Sequence, residues 1–257
     1  CCGIEEYSGP QAQYYDRYFT GVDGDLEFYL LAASQSGPPV LELGCGSGRI
    51  LIPVAESGTR IVGVERSPEM LALLRPKVAA MSPGQRRFLC ALRGDMRFFS
   101  LRDLFSLVIM PYRAFQHLLT DNEQIQCLKN IREHLLPGGA FVFNVFDPSG
   151  VLAEQTEPIL DAQFELAQGG TTQVCYTRSI DRSEQLLRQE LIFDERDGNG
   201  ILLSRQLTTL SLRYSSCAHI ENALQESGFE IAAVYGGFHG EPVSDGGEQV
   251  WVAVNKG

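Results

Sequence analysis

Apolar and polar positions divide the first 145 residues of this chain into short apolar runs separated by amphipathic stretches. Val40–Leu43, Ile61–Val64, Phe88–Leu92, Leu104–Met110 and Ala140–Val145 are uninterrupted or nearly so. Runs this short that are apolar throughout read as strands covered on both faces. Between them the pattern turns helical. Ser67-Pro68-Glu69 begins a helix with a capping hydroxyl, a proline in the first turn and an acid, and carries Met70, Leu71 and Leu74 inward until Pro76 kinks or ends it. Thr120-Asp121-Asn122-Glu123 has the form of a capping box, followed by Ile125, Leu128, Ile131 and Leu135 at helical spacing. That helix is expected to reach Leu136, where Pro137-Gly138-Gly139 stops it. Two further helices are expected ahead of the first strand, around Tyr14–Phe19 and Leu26–Leu31.

From residue 150 to 214 the pattern changes to long alternating runs, broken by Gly169-Gly170, Asp181 to Glu184, and Asp197-Gly198-Asn199-Gly200. These are hairpin signals, and they predict four antiparallel strands. The helical pattern returns at Ser216 to Ser227, ended by Gly228, and strands follow at Phe229–Tyr235 and Gln249–Val254. The predicted fold is α/β: a Rossmann-like seven-stranded sheet with helices on both faces, its last hairpin antiparallel, plus an inserted antiparallel β-sheet. Residues 1–149 and 215–257 form the core, and 150–214 the insertion, read as a lid over a substrate or as a dimer surface.

The chemistry concentrates at Val40-Leu41-Glu42-Leu43-Gly44-Cys45-Gly46-Ser47-Gly48-Arg49-Ile50. A strand, a dense glycine turn and a helix start allow a ligand to approach the backbone beside unpaired N–H groups. Glu65 stands twenty-one residues after Gly44, at the end of the next strand, where a carboxylate can accept from both hydroxyls of a ribose. The third glycine, Gly48, comes one place too early for the Gly-x-Gly-x-x-Gly spacing of dinucleotide sites, since Arg49 stands where that pattern has its last glycine.

At these residues, and at Arg93-Gly94-Asp95-Met96, the chain resembles the class I S-adenosylmethionine-dependent methyltransferases. The resemblance implies S-adenosylmethionine as cofactor, with Glu65 on the ribose, Asp95 accepting from the adenine amino group, Met96 offering a backbone contact and Met70 packing on the base. It implies further cofactor contacts from Tyr15, Glu42, Gly44, Cys45, Gly46, Gly48, Arg66 and Pro111, with Cys45 serving as a small side chain beneath the ligand. A Tyr-Asp-containing amino-terminal helix closes over the sulfonium in related enzymes, and Tyr15 is the match. Met110-Pro111-Tyr112 departs from the pattern of enzymes that methylate exocyclic amines of bases. His117 matches a residue that faces the acceptor in small-molecule N-methyltransferases, including those acting on aminosugars. His117 and Tyr15 are therefore the candidate catalytic residues.

Composition narrows the partners. A formal net charge of −11 repels phosphate backbones on average, so a small-molecule acceptor is expected rather than nucleic acid. No apolar run approaches the length of a membrane span, and no basic segment followed by an apolar one opens the chain, so a cytoplasmic location is expected. Seven cysteines form neither a paired metal-ligand spacing nor an even disulfide set, and no metal is expected. Cys1-Cys2 has no reading. The expected activity is methyl transfer to N or O of a small molecule; a non-catalytic protein that binds the same cofactor is the alternative.

Overall fold

The computed structural model describes residues 7–148, 153–166, 169–244 and 246–257; Cys1 and Cys2 lie outside them. Three helices precede the sheet: α1 (Pro10–Gln13), α2 (Tyr15–Tyr18) and α3 (Asp25–Ser36). There follow β1 (Val40–Leu43), α4 (Leu51–Glu56), β2 (Ile61–Glu65), α5 (Pro68–Ala80), α6 (Pro83–Arg86), β3 (Leu89–Arg93) and β4 (Phe105–Met110). A 3-10 segment, Ala114–His117, leads to α7 (Asp121–Glu133) and β5 (Leu135–Asp147). The inserted strands are β6 (Gln155–Glu165), β7 (Thr171–Asp181), β8 (Leu186–Arg196) and β9 (Leu202–Arg213); α8 (Cys217–Glu226), β10 (Phe229–Tyr235) and β11 (Gly247–Asn255) complete the chain.

The main sheet has the order β10-β11-β5-β4-β1-β2-β3, and the second sheet the order β6-β7-β8-β9. β3 through β5 pair in parallel, while β11 is antiparallel to both β5 and β10. Each face of the main sheet carries its own apolar core: Leu41, Leu43, Phe141 and Phe143 toward α7 and α8, and Val40, Ile61, Leu107 and Ile109 toward α3, α4 and α5. Central strands buried on both faces are why those runs are continuous rather than alternating. No helix among the described residues is long and apolar enough to cross a membrane.

Three local expectations change. Pro76, expected to kink or end α5, does not end it: the helix runs through it to Ala80. α7 stops at Glu133, and Leu135 already pairs with Phe105; pairing then resumes at Ala140–Leu107. Pro137-Gly138-Gly139 is thus a bulge within β5, because the ladder to β4 captures the chain before the helix can continue. Phe88–Leu92 is shifted by one, and β3 is a largely exposed edge.

Tight packing sits directly beneath the glycine turn. A Cβ added to Gly63 on β2 would stand 2.7 Å from Cys45 Sγ and 3.0 Å from Leu51 Cδ1. Gly63→Ala is therefore expected to cost about 1–3 kcal/mol by overpacking, and Cys45→Ala in the same chain to recover part of that loss. Thermal unfolding of the two variants checks this; a single variant as stable as the native protein contradicts it.

Candidate active site

A cavity opens at the carboxyl ends of β1, β2 and β4, with about 990 Å³ of atom-free space including its solvent mouth. Gly44 and Gly46 take positive φ, 71° and 55°, to turn the chain away from β1. The turn is tied down by Val64, whose carbonyl accepts from Gly44 N–H at 2.8 Å. Glu65 completes the clamp: its carboxylate accepts from Gly46 N–H at 2.9 Å and from Ser67 N–H at 2.7 Å. One side chain thus holds both the glycine turn and the start of α5, where Ser67 caps the helix.

Glu42 lies deeper, 3% exposed, and its Oε2 has no hydrogen-bond partner. Burial pushes its carboxyl up to about 8, against the pull of Arg49 and with the help of Glu65. Arg49 is held by two bonds to Asp25, at 2.7 and 2.6 Å. On the far side Asp95 is gripped by Arg97, whose Nε and Nη2 reach its two oxygens at 2.9 and 2.6 Å. Burial raises the Asp95 carboxyl, but the Arg97 bonds outweigh it and hold it below the ordinary range. Arg97 also pairs with Glu123 in the first turn of α7, and Arg66 lies 4.0 Å from Asp95.

The remaining wall is aromatic. Tyr7, Tyr15 and Tyr112 line it together with His117, and Tyr7 Oη lies 3.2 Å from His117 Nε2. Burial raises all three phenols and pushes His117 down to about 4, so the imidazole is neutral above that pH. Residues 7–19 are pinned from two sides. Ser67 Oγ donates to the Tyr7 carbonyl and Ser47 Oγ to Asp16, which ties the segment to the start of α5 and to the glycine turn. Tyr14 donates to Glu195 and Tyr18 to Asp161, both at 2.6 Å, and both acceptors belong to the inserted sheet. Tyr14 and Tyr18 share a face as their spacing implies, but that face packs on Phe193, and Tyr15 between them points into the cavity. At the end of β4, Tyr112 and Arg113 both have left-handed φ, 55° and 63°. Non-glycine residues there cost about 1–3 kcal/mol each.

Tyr15, Glu42, Gly44, Cys45, Gly46, Glu65, Arg66, Met70, Asp95, Met96, Pro111 and His117 all line this one cavity. Gly48 does not: a Cβ there would meet Leu74 Cδ1 at 2.4 Å, so its φ of 92° serves close packing of the turn against α5. Phe238 is buried against Tyr29 and Phe28, and His239 reaches Asp23, both away from the cavity. Arg49, Arg97, Tyr7 and Tyr112 line it too, and nothing in the local sequence marks Arg97 or Tyr7. Arg49 follows the third glycine directly, and Tyr112 follows Pro111 at the end of the fourth apolar run.

Residues 40–139 match the family described as "Methyltransferase domain". The cypemycin N-terminal methyltransferase of a Streptomyces species is 28% identical over 86% of this chain and 84% of that protein. The dTDP-3-amino-3,6-dideoxy-alpha-D-glucopyranose N,N-dimethyltransferase of Streptomyces fradiae is 32% identical over 53% of each chain. The solved CcbJ methyltransferase of Streptomyces caelestis has the same fold, with a TM-score of 0.82 and 27% identity over 99% of this chain and 100% of its own.

Proposed function

This chain belongs to the class I S-adenosylmethionine-dependent methyltransferases, and from that premise we propose that its acceptor is an amine nitrogen of a small molecule. The carrying observation is the make-up of the aromatic wall, which sets three phenols and one imidazole around the space beside the glycine turn. Tyr7, Tyr15 and Tyr112 are held protonated, and His117 at about 4 is too weak a base to draw a proton from an alcohol or phenol near neutrality. A neutral amine brings its own lone pair and needs no base. Relatives with named acceptors point the same way: one names a peptide amino terminus and another an amino sugar.

Two features of the cavity fit the cofactor. The orphaned Glu42 oxygen suits its cationic α-amino group, and a Cβ on Gly46 would fill the space beside Tyr15 Oη, 3.3 Å away, and Met70 Cε, 3.5 Å away. When bound, the cofactor supplies an electrophilic sulfonium methyl. In this reading Glu65 holds the ribose, and Asp95 and Met96 take the adenine edge against Met70. Arg49, already oriented by Asp25, takes the carboxylate, and Tyr15 screens the sulfonium from water. The aromatic wall holds the amine in line with the methyl, an effect worth up to ~7–11 kcal/mol for well-oriented partners. The insertion, 150–214, then acts as the acceptor-side lid, since it anchors residues 7–19 through Glu195 and Asp161.

Matched acceptor pairs, amino sugars and peptide amino termini against their hydroxyl counterparts, test the reading by release of S-adenosylhomocysteine. Amines should turn over and hydroxyls should not; equal turnover sinks it. His117→Ala is expected to lower kcat less than about tenfold, because positioning rather than proton removal is its contribution, whereas a general base is worth ~10²–10⁴-fold. The kcat/KM profile should rise with the acceptor amine's own ionisation and show no inflection near pH 6.5.

A further inference from the structure

Glu248 lies on β11, outside the cavity, 135 residues from the turn it holds. That turn is the left-handed pair Tyr112-Arg113, and nothing intrinsic to a tyrosine or an arginine favours such a backbone. Contacts hold it instead. Arg113 Nε and Nη2 donate to Glu248 Oε2 at 3.1 and 2.7 Å, and Arg113 N–H faces Asn144 Oδ1 at 3.4 Å. Asn144, fully buried on β5, is itself fixed: its Oδ1 accepts from the Tyr29 hydroxyl at 3.0 Å and its Nδ2 donates to the other Glu248 oxygen. The Arg113 guanidinium also lies 4.7 Å from the centre of the Phe146 ring.

Three elements, α3, β5 and β11, thus converge on a backbone conformation that is unfavourable by itself. Its output is orientation. The turn points the Tyr112 ring into the cavity, 5.5 Å from the Arg49 guanidinium, and starts the 3-10 segment whose last residue is His117. We propose that Glu248 is a positioning residue for the reacting end of the site, acting through Arg113 to hold the Tyr112 ring against the bound sulfonium and its acceptor. This rests on the cavity being the methyl-transfer site, and is independent of whether the acceptor atom is nitrogen.

The test reads binding as well as turnover, using two probes that share the nucleoside and amino-acid parts. Sinefungin carries an ammonium where the transferable methyl sits; S-adenosylhomocysteine carries nothing there. A ring held at that end attracts the cation of one probe only. In Glu248→Ala the affinity for S-adenosylhomocysteine should change less than threefold, while the ratio of the two affinities shifts about fivefold against sinefungin. Tyr112→Leu should shift the ratio equally, and methyl transfer should fall at least tenfold in both. Arg113→Gly added to Glu248→Ala should bring the ratio back to within about twofold of native, because glycine takes the left-handed conformation without being pinned. An unchanged ratio in folded Glu248→Ala overturns the proposal, as does an equal loss for both probes with no rescue, which marks general support of the fold. If Glu248→Ala fails to fold, Glu248→Gln, which keeps an acceptor but loses the charge toward Arg113, is read by the same ratio.

Discussion

Glu65→Gln is expected to bind S-adenosylhomocysteine roughly ten- to a hundredfold more weakly than the native protein, a loss of about 1.5–3 kcal/mol. Two effects act together. In the proposed reading the ribose loses a charged acceptor, and the glycine turn loses part of its clamp. The native carboxylate accepts from Gly46 N–H on one oxygen and from Ser67 N–H on the other. An amide has a single acceptor oxygen, so its NH₂ must face one of those two N–H groups. Glu65→Asp separates the effects, since it keeps the charge but falls short of one partner. Calorimetric titration on protein with native circular dichroism is the measurement. Native affinity in Glu65→Gln removes this residue from the site.

The second large effect is a pH dependence of cofactor binding set by Glu42. Burial favours its protonated form up to about pH 8, whereas a cationic amino group placed against Oε2 favours the ionised form. Binding then releases a proton at neutral pH. Between pH 6 and 8 the affinity for S-adenosylhomocysteine should rise by up to roughly fiftyfold, the fraction of ionised Glu42 in the free protein growing from about 1% to about 50%. Isothermal titration in two buffers of different ionisation enthalpy measures the released proton directly. Glu42→Gln should flatten the slope, and so should a ligand lacking the α-amino group; a native slope in Glu42→Gln excludes the residue as its origin. The sign for stability is opposite. A folded pKa raised above the ordinary 4.5 contributes stability below that pH and loses it as pH rises through about 8, so the free protein weakens on the alkaline side and bound ligand restores it. His117, depressed to about 4, weakens the fold on the acid side, as pH falls from 6.5 through 4.

Much of this architecture is legible in the sequence. The strand runs, the capping box at Thr120, the Ser67 start of α5 and the three hairpin turns of the insertion depend on residues within a few positions of one another, and each element formed close to where its pattern placed it. Local signals failed where pairing to a distant strand competed with a helix, as at Leu135, and where a helix tolerated its proline, as at Pro76. Gly48 shows a subtler case. Its place in the glycine motif suggested ligand contact, whereas its neighbour is Leu74 on another element.

What the sequence by itself determined, then, was the strand–turn–helix at Gly44 to Arg49, the acids following successive strands, and the change to antiparallel pairing after residue 150. These are properties of contiguous residues with fixed periods. The tertiary structure alone decided the charge state of Glu42, the meeting of Tyr7 with His117, the docking of Tyr14 and Tyr18 on the inserted sheet, and the grip of Glu248 on the Arg113 turn. The reason is physical. A pKa, an unpaired buried oxygen or a backbone held against its preference is set by every group that surrounds it, and those groups come from segments with no spacing in common.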